Sequence, residues 1–384
     1  MNEVIFNTHD VVLVTTAFLC CFFSIVVVAS KKFKPISAYL FAAFLISQAA
    51  IAMHEAILYG AQFRLVALSF SPNLFFVGGG AFCLDGPLLY FYVRSLIYSD
   101  FRFTKADLWH LVPVVIYFTH MLSAFYVQDD VFKQEVVQYF RNDLIQHYLP
   151  LDTMIKALRF GYVICGLYLI SKYRDQLKDV YSDIAAIDLS WLQLLVTSFL
   201  LTMFAELLLA AIKIVSLFYL VKIDLLIFIG LSSYYAKFVL VNLLLFFSAA
   251  NVSALRRIRQ KPAELTEKLD AINLEYVERI ESCMGEHKPF LAANITVESL
   301  SEQLDVPSRE LSATLNRHFK MNFYEFINNY RIEEAKLLLK SDAHREKTIT
   351  EIFTAVGFNS KSVFNTFFRK TEGMTPSEFR KVNL

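Results

Sequence analysis

The chain has 384 residues, of which 56% are apolar and 15% aromatic, and its 37 Lys and Arg against 36 Asp and Glu give a formal net charge of +1. A near-neutral sum taken over unlike regions excludes neither a lipid nor a polyanionic partner. Five scattered cysteines, Cys20, Cys21, Cys83, Cys165 and Cys283, exclude a disulfide framework and a zinc spacing, so neither metal nor cofactor is expected.

The length allows two or three domains. Up to about Ala250 the sequence is a series of apolar segments between short polar loops, and from Asn251 it has the charge density of a soluble protein. The opening residues MNEVIFNTHD lack a basic n-region and a small-residue cleavage site, so the first apolar segment is expected to be retained. A membrane span needs about 20 mostly apolar residues. Seven candidates fall near residues 9–30, 36–58, 72–97, 107–127, 153–172, 189–213 and 224–250.

Loop charge alternates along this series. Lys31, Lys32 and Lys34 follow the first span, Arg94, Arg102 and Lys105 the third, Lys172, Arg174 and Lys178 the fifth, and Arg256, Arg257, Arg259 and Lys261 the seventh. Loops rich in Lys and Arg stay cytoplasmic, which predicts an N-terminus outside and a C-terminus in the cytoplasm. Ionisable side chains inside spans are costly and mark functional candidates. His54, Glu55, Asp85, Arg159, Glu206 and Lys237 form the predicted ligand site or intramembrane charge network, with His120 and Lys156 also inside spans. Their balanced signs suggest pairing within a bundle. Asp85 lies between Gly78-Gly79-Gly80 and Gly86-Pro87, so its span is expected to kink and turn backbone groups toward a cavity.

Beyond the membrane exit at RRIRQK, Leu265, Leu269, Ile272, Tyr276, Val277, Ile280 and Met284 recur at helical spacing. This stripe packs against the domain that follows or pairs two chains as a homodimer. Val297–Leu304 reads as a helix, Asp305–Ser308 as a turn, and Arg309–Phe319 as a second helix with Leu311, Leu315 and Phe319 on one face. Its other face presents Arg309, Ser312, Ala313, Asn316 and Arg317. A long helix from Phe323 to Lys340 follows, and then the pattern repeats: a helix closing at Gly357, and another from Ser360 to Lys370 with Phe364, Phe367 and Phe368 inward. Asn359, Ser360, Lys361, Asn365, Thr366 and Arg369 are its outward candidates. In a helix-turn-helix the second helix enters the major groove of double-stranded DNA, and two units on one rigid helix suit successive grooves.

Several of these runs are specific. Tyr330-Arg331-Ile332-Glu333-Glu334-Ala335-Lys336, Gly357-Phe358, and Thr375-Pro376 with Arg380 resemble the linker helix, second turn and closing element of the AraC/XylS family of transcription regulators, over roughly the last 100 residues. The resemblance implies a bihelical domain of two helix-turn-helix units, the first being the more variable and more sequence-discriminating. This chain departs from the family mostly there: Pro307 stands where Ser is common and Lys320 where Gly is common. Asn322 to Asn328, Phe358 to Ser362, and the run Gly86-Pro87-Leu88-Leu89-Tyr90 with Tyr92-Val93-Arg94 resemble the subgroup that carries multi-span membrane sensors.

The expected fold is therefore all-α. A seven-span sensor domain (1–250) precedes a helical linker (251–286) and a DNA-binding domain (287–384) whose helix-turn-helix units cover about 297–319 and 348–371. The expected function is a transcription regulator held in the bacterial inner membrane, binding double-stranded DNA and sensing an unknown small molecule or membrane ligand. A transporter or channel with a regulatory tail is the alternative, but no internal repeat or matched pair of broken helices marks a transporter. No catalytic residue is expected: His54, Glu55 and His120 lack the spacing of a metal centre.

Overall fold

Backbone polar groups in hydrocarbon must be satisfied internally, which turns long apolar runs into helices. A computed structural model describes residues 7–29, 35–60, 62–98, 100–139, 142–184, 190–216, 218, 223–250, 273–341 and 345–383. Among these the fold is all-α, and one isolated bridge, Tyr181 to Thr296, is the sole pairing of strand type. Two compact units form: Met1–Ile170 with Leu189–Arg259, and Ser171–Asp188 with Gln260–Leu384.

The first unit contains α1 (Thr8–Ala29), α2 (Pro35–Tyr59), α3 (Phe63–Phe70), α4 (Asp85–Ile97), α5 (Val112–Met121), α6 (Asp130–Tyr139), most of α7 (Asn142–Lys178), α8 (Ser190–Val215) and α9 (Ile223–Ala250). Among the described residues seven stretches are long and apolar enough to cross a membrane: Thr8–Ala29, Pro35–Tyr59, Pro72–Ile97, Lys105–Tyr126, Tyr148–Lys178, Ser190–Val215 and Asp224–Leu243. The expected loops Lys31–Lys34 and the basic exit at 256–261 lie outside the described residues.

The third of these stretches is broken, as its glycines predict. It runs as 3-10 turns over Pro72–Leu74 and Val77–Cys83 and becomes regular α-helix only at Asp85. Two of its carbonyls turn to tyrosine hydroxyls rather than to a cavity, which corrects the expectation for those groups. The Tyr126 hydroxyl donates to Phe75 O at 2.8 Å and the Tyr117 hydroxyl to Phe76 O at 2.6 Å. Gly79 permits this approach, because a Cβ there would lie 2.0 Å from the Tyr117 hydroxyl.

In the second unit α10 (Leu274–Glu286), α11 (Val297–Leu304), α12 (Ser308–Thr314), α13 (Phe323–Lys340), α14 (Ile349–Ala355), α15 (Lys361–Glu372) and α16 (Pro376–Asn383) follow in order. Starts are set by side-chain caps. Thr296 accepts from Ser299 N–H, Asn322 from Glu325 N–H, and Thr348 from Glu351 N–H while the Glu351 carboxylate accepts from Thr348 N–H. The expected helix Arg309–Phe319 is not uniform: α12 ends at Thr314 and Leu315–Phe319 is a single π turn. Two apolar cores result, and α13 serves both, with Phe323, Phe326 and Ile327 in one and Ile332, Ala335 and Leu339 in the other.

Val277, Ile280 and Met284 of the linker stripe are buried, with Ile280 and Met284 in the first core, so this part packs on its own domain. Leu265, Leu269 and Ile272 lie outside the described residues. Lys320 takes φ +57°. Left-handed backbone costs a side chain about 1–2 kcal/mol, partly offset by the flexibility glycine adds to the unfolded chain. Lys320→Gly is therefore expected to stabilise by about 0.5–1 kcal/mol. Urea unfolding of the purified chain checks it, and a destabilised variant would show that the Lys320 side chain earns more than its strain.

Candidate functional site

Four of the six predicted intramembrane residues meet in one cluster. Arg159, 1% exposed, donates from Nε to Asp85 Oδ1 at 2.8 Å, from Nη2 to Asp85 Oδ2 at 2.6 Å and from Nη1 to Glu206 Oε2 at 2.6 Å. Lys237 pairs with the other Glu206 oxygen. Asp85 also accepts from the Gln48 amide at 3.0 Å and from Gly86 N–H at 2.7 Å. The guanidinium lies 4.7 Å from the centre of the Phe82 ring, a cation–π contact that adds to its stabilisation in low dielectric. The kink places Asp85 at the start of α4, and Arg159 from mid-α7 reaches it there.

Glu55 and His54 stand apart from this cluster. Glu55 accepts from the Tyr234 hydroxyl at 2.7 Å, and His54 is buried with its ring edge-on to Phe82 at 6.0 Å. Both line a cavity of about 600 Å³ together with Tyr148, Lys156, Glu206 and Lys213. Lys156 pairs with Asp152 at 2.6 Å. Sequence reading missed Gln48, Phe82, Asp152 and Tyr234. A polar or aromatic side chain in an apolar helix gives no periodicity signal, although Asp152 stands at i and Lys156 at i+4. No group of three or more His, Cys, Asp or Glu able to hold a metal occurs among the described residues.

The predicted DNA-facing residues sort differently. Asn316, Arg317, Asn359, Lys361, Thr366 and Arg369 are exposed, while Arg309, Ala313, Ser360 and Asn365 are half-buried. Ser312 is 3% exposed and does not lie on the outward face, a correction to the sequence reading. It falls one position after the buried Leu311, where α12 turns toward α11. The second helix of each pair is fixed from below: Leu311 and Leu315 for the first, and Phe364, Phe367 and Phe368 for the second, are buried in the two cores.

The described residues 173–184, read from sequence as part of a loop between spans, are built into this same unit. Val180 lies in the first core, and its carbonyl accepts from Val297 N–H at 3.0 Å. Ser182 Oγ donates to Ile295 O at 2.8 Å, while its own carbonyl accepts from the Asn328 amide at 3.2 Å. Two carboxylates of the segment engage candidate DNA-contacting residues. Asn359 donates to Asp183 Oδ2 at 2.8 Å. Burial pushes the Asp179 carboxyl above the usual carboxylate range, opposed by a hydrogen bond from Asn316.

Beneath the second turn, Arg331 is 1% exposed and its guanidinium is held largely by backbone carbonyls, with the Asp183 charge acting on it as well. It donates to Phe290 O at 2.7 Å and Ala292 O at 2.8 Å, and it stacks over Phe358 at 5.5 Å. Burial pulls its guanidinium down to about 10, which keeps it charged at neutral pH.

Residues 300–382 match a family described as a helix-turn-helix domain. The chain is 28% identical over 123 residues to YdeC of Bacillus subtilis, an uncharacterized HTH-type transcriptional regulator, covering 32% of this chain and 36% of that one. It is 31% identical over 90 residues to YijO of Escherichia coli, likewise an uncharacterized HTH-type transcriptional regulator, covering 23% of this chain and 31% of the relative. To RhaS of Salmonella arizonae, an HTH-type transcriptional activator, identity is 25% over 103 residues, covering 27% and 36%. The matches thus span about a third of each relative's length. No solved structure matches the chain significantly.

Proposed function

We propose, for a chain whose C-terminal residues form an AraC-type helix-turn-helix domain, a sequence-specific transcription regulator tethered in a bacterial inner membrane that alters DNA binding in response to a signal sensed by its seven-span domain. The reading rests on one observation: seven membrane-length apolar helices and a double helix-turn-helix occupy a single polypeptide. The alternation of basic loops in the sequence supports a cytoplasmic C-terminus. The connection between the fifth and sixth spans supports the coupling, since its Asp179 and Asp183 hold Asn316 and Asn359 of the two helix-turn-helix units.

The test is DNA binding by the intact protein in lipid nanodiscs, using fragments recovered by mapping the chromosomal sites it occupies. Replacing Lys361 and Asn365 with Ala is expected to weaken specific binding by about tenfold or more, on the scale of about 1–3 kcal/mol per base contact. Unchanged affinity and specificity would remove α15 from the interface. Solute uptake by proteoliposomes would instead favour a transporter.

A further inference from the structure

We propose that the cavity between α2, α7, α8 and α9 binds a small zwitterion, an apolar amino acid or short peptide being the fitting chemistry, with its ammonium at Glu55 and its carboxylate at Lys213. The inference deepens the sensor reading and rests on it. Charges on this cavity wall are matched with two exceptions. Glu206 is held by Arg159 and Lys237, and Asp152 by Lys156. Glu55 accepts from the Tyr234 hydroxyl and has no cation within 4 Å among the described residues. Lys213 has no carboxylate within 4 Å among the described residues and rests over the Tyr59 ring at 5.5 Å. His54, 4% exposed, lines the same wall with only aromatic contacts among the described residues.

Two charges of opposite sign on one wall, neither with a direct counter-ion among the described residues, are an expensive arrangement inside a membrane. Any ligand that carries one charge compensates one group and leaves the other unpaired. A zwitterion compensates both while bringing no net charge into low dielectric, so it is the class for which the gain is largest. The remaining wall includes Leu58, Phe82, Leu149 and Leu209, which suits an apolar side chain. The volume of about 600 Å³ falls in the range of about 300–1,000 Å³ typical of small-molecule sites. Glu55 sits one turn before the end of α2 at Tyr59, and Lys213 two residues before the end of α8 at Val215, so both mark one end of the bundle.

The same charge pair is offered by a phosphatidylethanolamine headgroup, and the experiment separates the sources. The full chain is placed in nanodiscs of phosphatidylglycerol, which contains no zwitterionic lipid, and its thermal unfolding and calorimetric binding are measured. The probes are leucine, phenylalanine, Leu-Leu and Phe-Phe, each with its N-acetylated and its C-amidated form. Free zwitterions are expected to bind at least tenfold more tightly than either blocked form. Lys213→Met should abolish the preference for a free carboxylate, and Glu55→Gln the preference for a free ammonium, with the unliganded unfolding temperature reporting that each variant is folded. Stabilisation by added phosphatidylethanolamine that Glu55→Gln and Lys213→Met each remove, with no selective binding of the free probes, assigns the headgroup as source and keeps the zwitterion. Selectivity unchanged in both variants overturns the proposal, as does equal binding of blocked and free forms, or no binding by any probe in either lipid, where that stabilisation is absent. Promoter DNA binding in the same particles is read in parallel: its persistence leaves the sensor reading standing when the ligand class fails, and its absence strikes that reading separately.

Discussion

Replacing Arg159 with Met is expected to cost about 3–5 kcal/mol of stability, the range for removing one partner of a buried ion pair. The reason is what it leaves behind. Asp85, 0% exposed, would keep only the Gln48 amide and Gly86 N–H against a full negative charge. Glu206 would fare better, since Lys237 remains. The asymmetry makes a specific second expectation: Arg159→Met combined with Asp85→Asn should recover most of the loss, because the uncompensated charge is gone, while Arg159→Met with Glu206→Gln should recover little. Arg159→Lys should fall between, as one ammonium cannot reproduce a fork donating to two carboxylates. Unfolding of the detergent-solubilised chain, read as a double-mutant cycle, checks the pattern. Equal rescue by both second substitutions would mean that the cluster is not organised around the Asp85 contact.

How far the sequence anticipated this cluster follows from what hydropathy records. Span ends are legible because twenty apolar residues in a row have few alternatives, and the expected 36–58 and 72–97 lie within a residue of Pro35–Tyr59 and Pro72–Ile97. The sign balance of Asp85, Arg159, Glu206 and Lys237 announces pairing. It does not say who pairs with whom, since that depends on how α4, α7, α8 and α9 pack, a property of side-chain shape across the bundle. Gln48 stays hidden among apolar neighbours for the same reason. In the second unit the helix pairs were legible from spacing and the motif runs, but Ser312 was misplaced because α12 buries a wider face than its leucines mark, covering Ser312 and Thr314 beside Leu311 and Leu315. The docking of Val180 and Ser182 left no signal at all: a few residues bonded through backbone and short hydroxyls carry no period to detect.

Gly357→Ala is expected to be the most disruptive single methyl in the DNA-binding unit. Gly357 holds φ +91°, and a Cβ there would lie 2.7 Å from Leu291 O, 2.9 Å from Phe290 O and 3.0 Å from Arg331 Nε. The left-handed backbone alone costs about 1–2 kcal/mol. The contacts add a separate loss, because Phe290 O is the acceptor of Arg331 Nε, and moving it loosens the hydrogen bonds of a buried guanidinium held largely by backbone carbonyls. Together about 3 kcal/mol or more is expected. Gly373 supplies the internal control: it also has positive φ, +73°, yet a Cβ would meet nothing within 4 Å, so Gly373→Ala should cost only the net backbone strain of about 0.5–1 kcal/mol. The difference between the two variants in urea unfolding isolates the contact with the Arg331 acceptors. If Gly357→Ala costs no more than Gly373→Ala, the carbonyl cradle yields freely and the turn does not fix α14 against α15 as these distances require. If the expected gap appears, DNA binding should fall with it, since Asn359 and Lys361 follow this turn directly and depend on it for their placement.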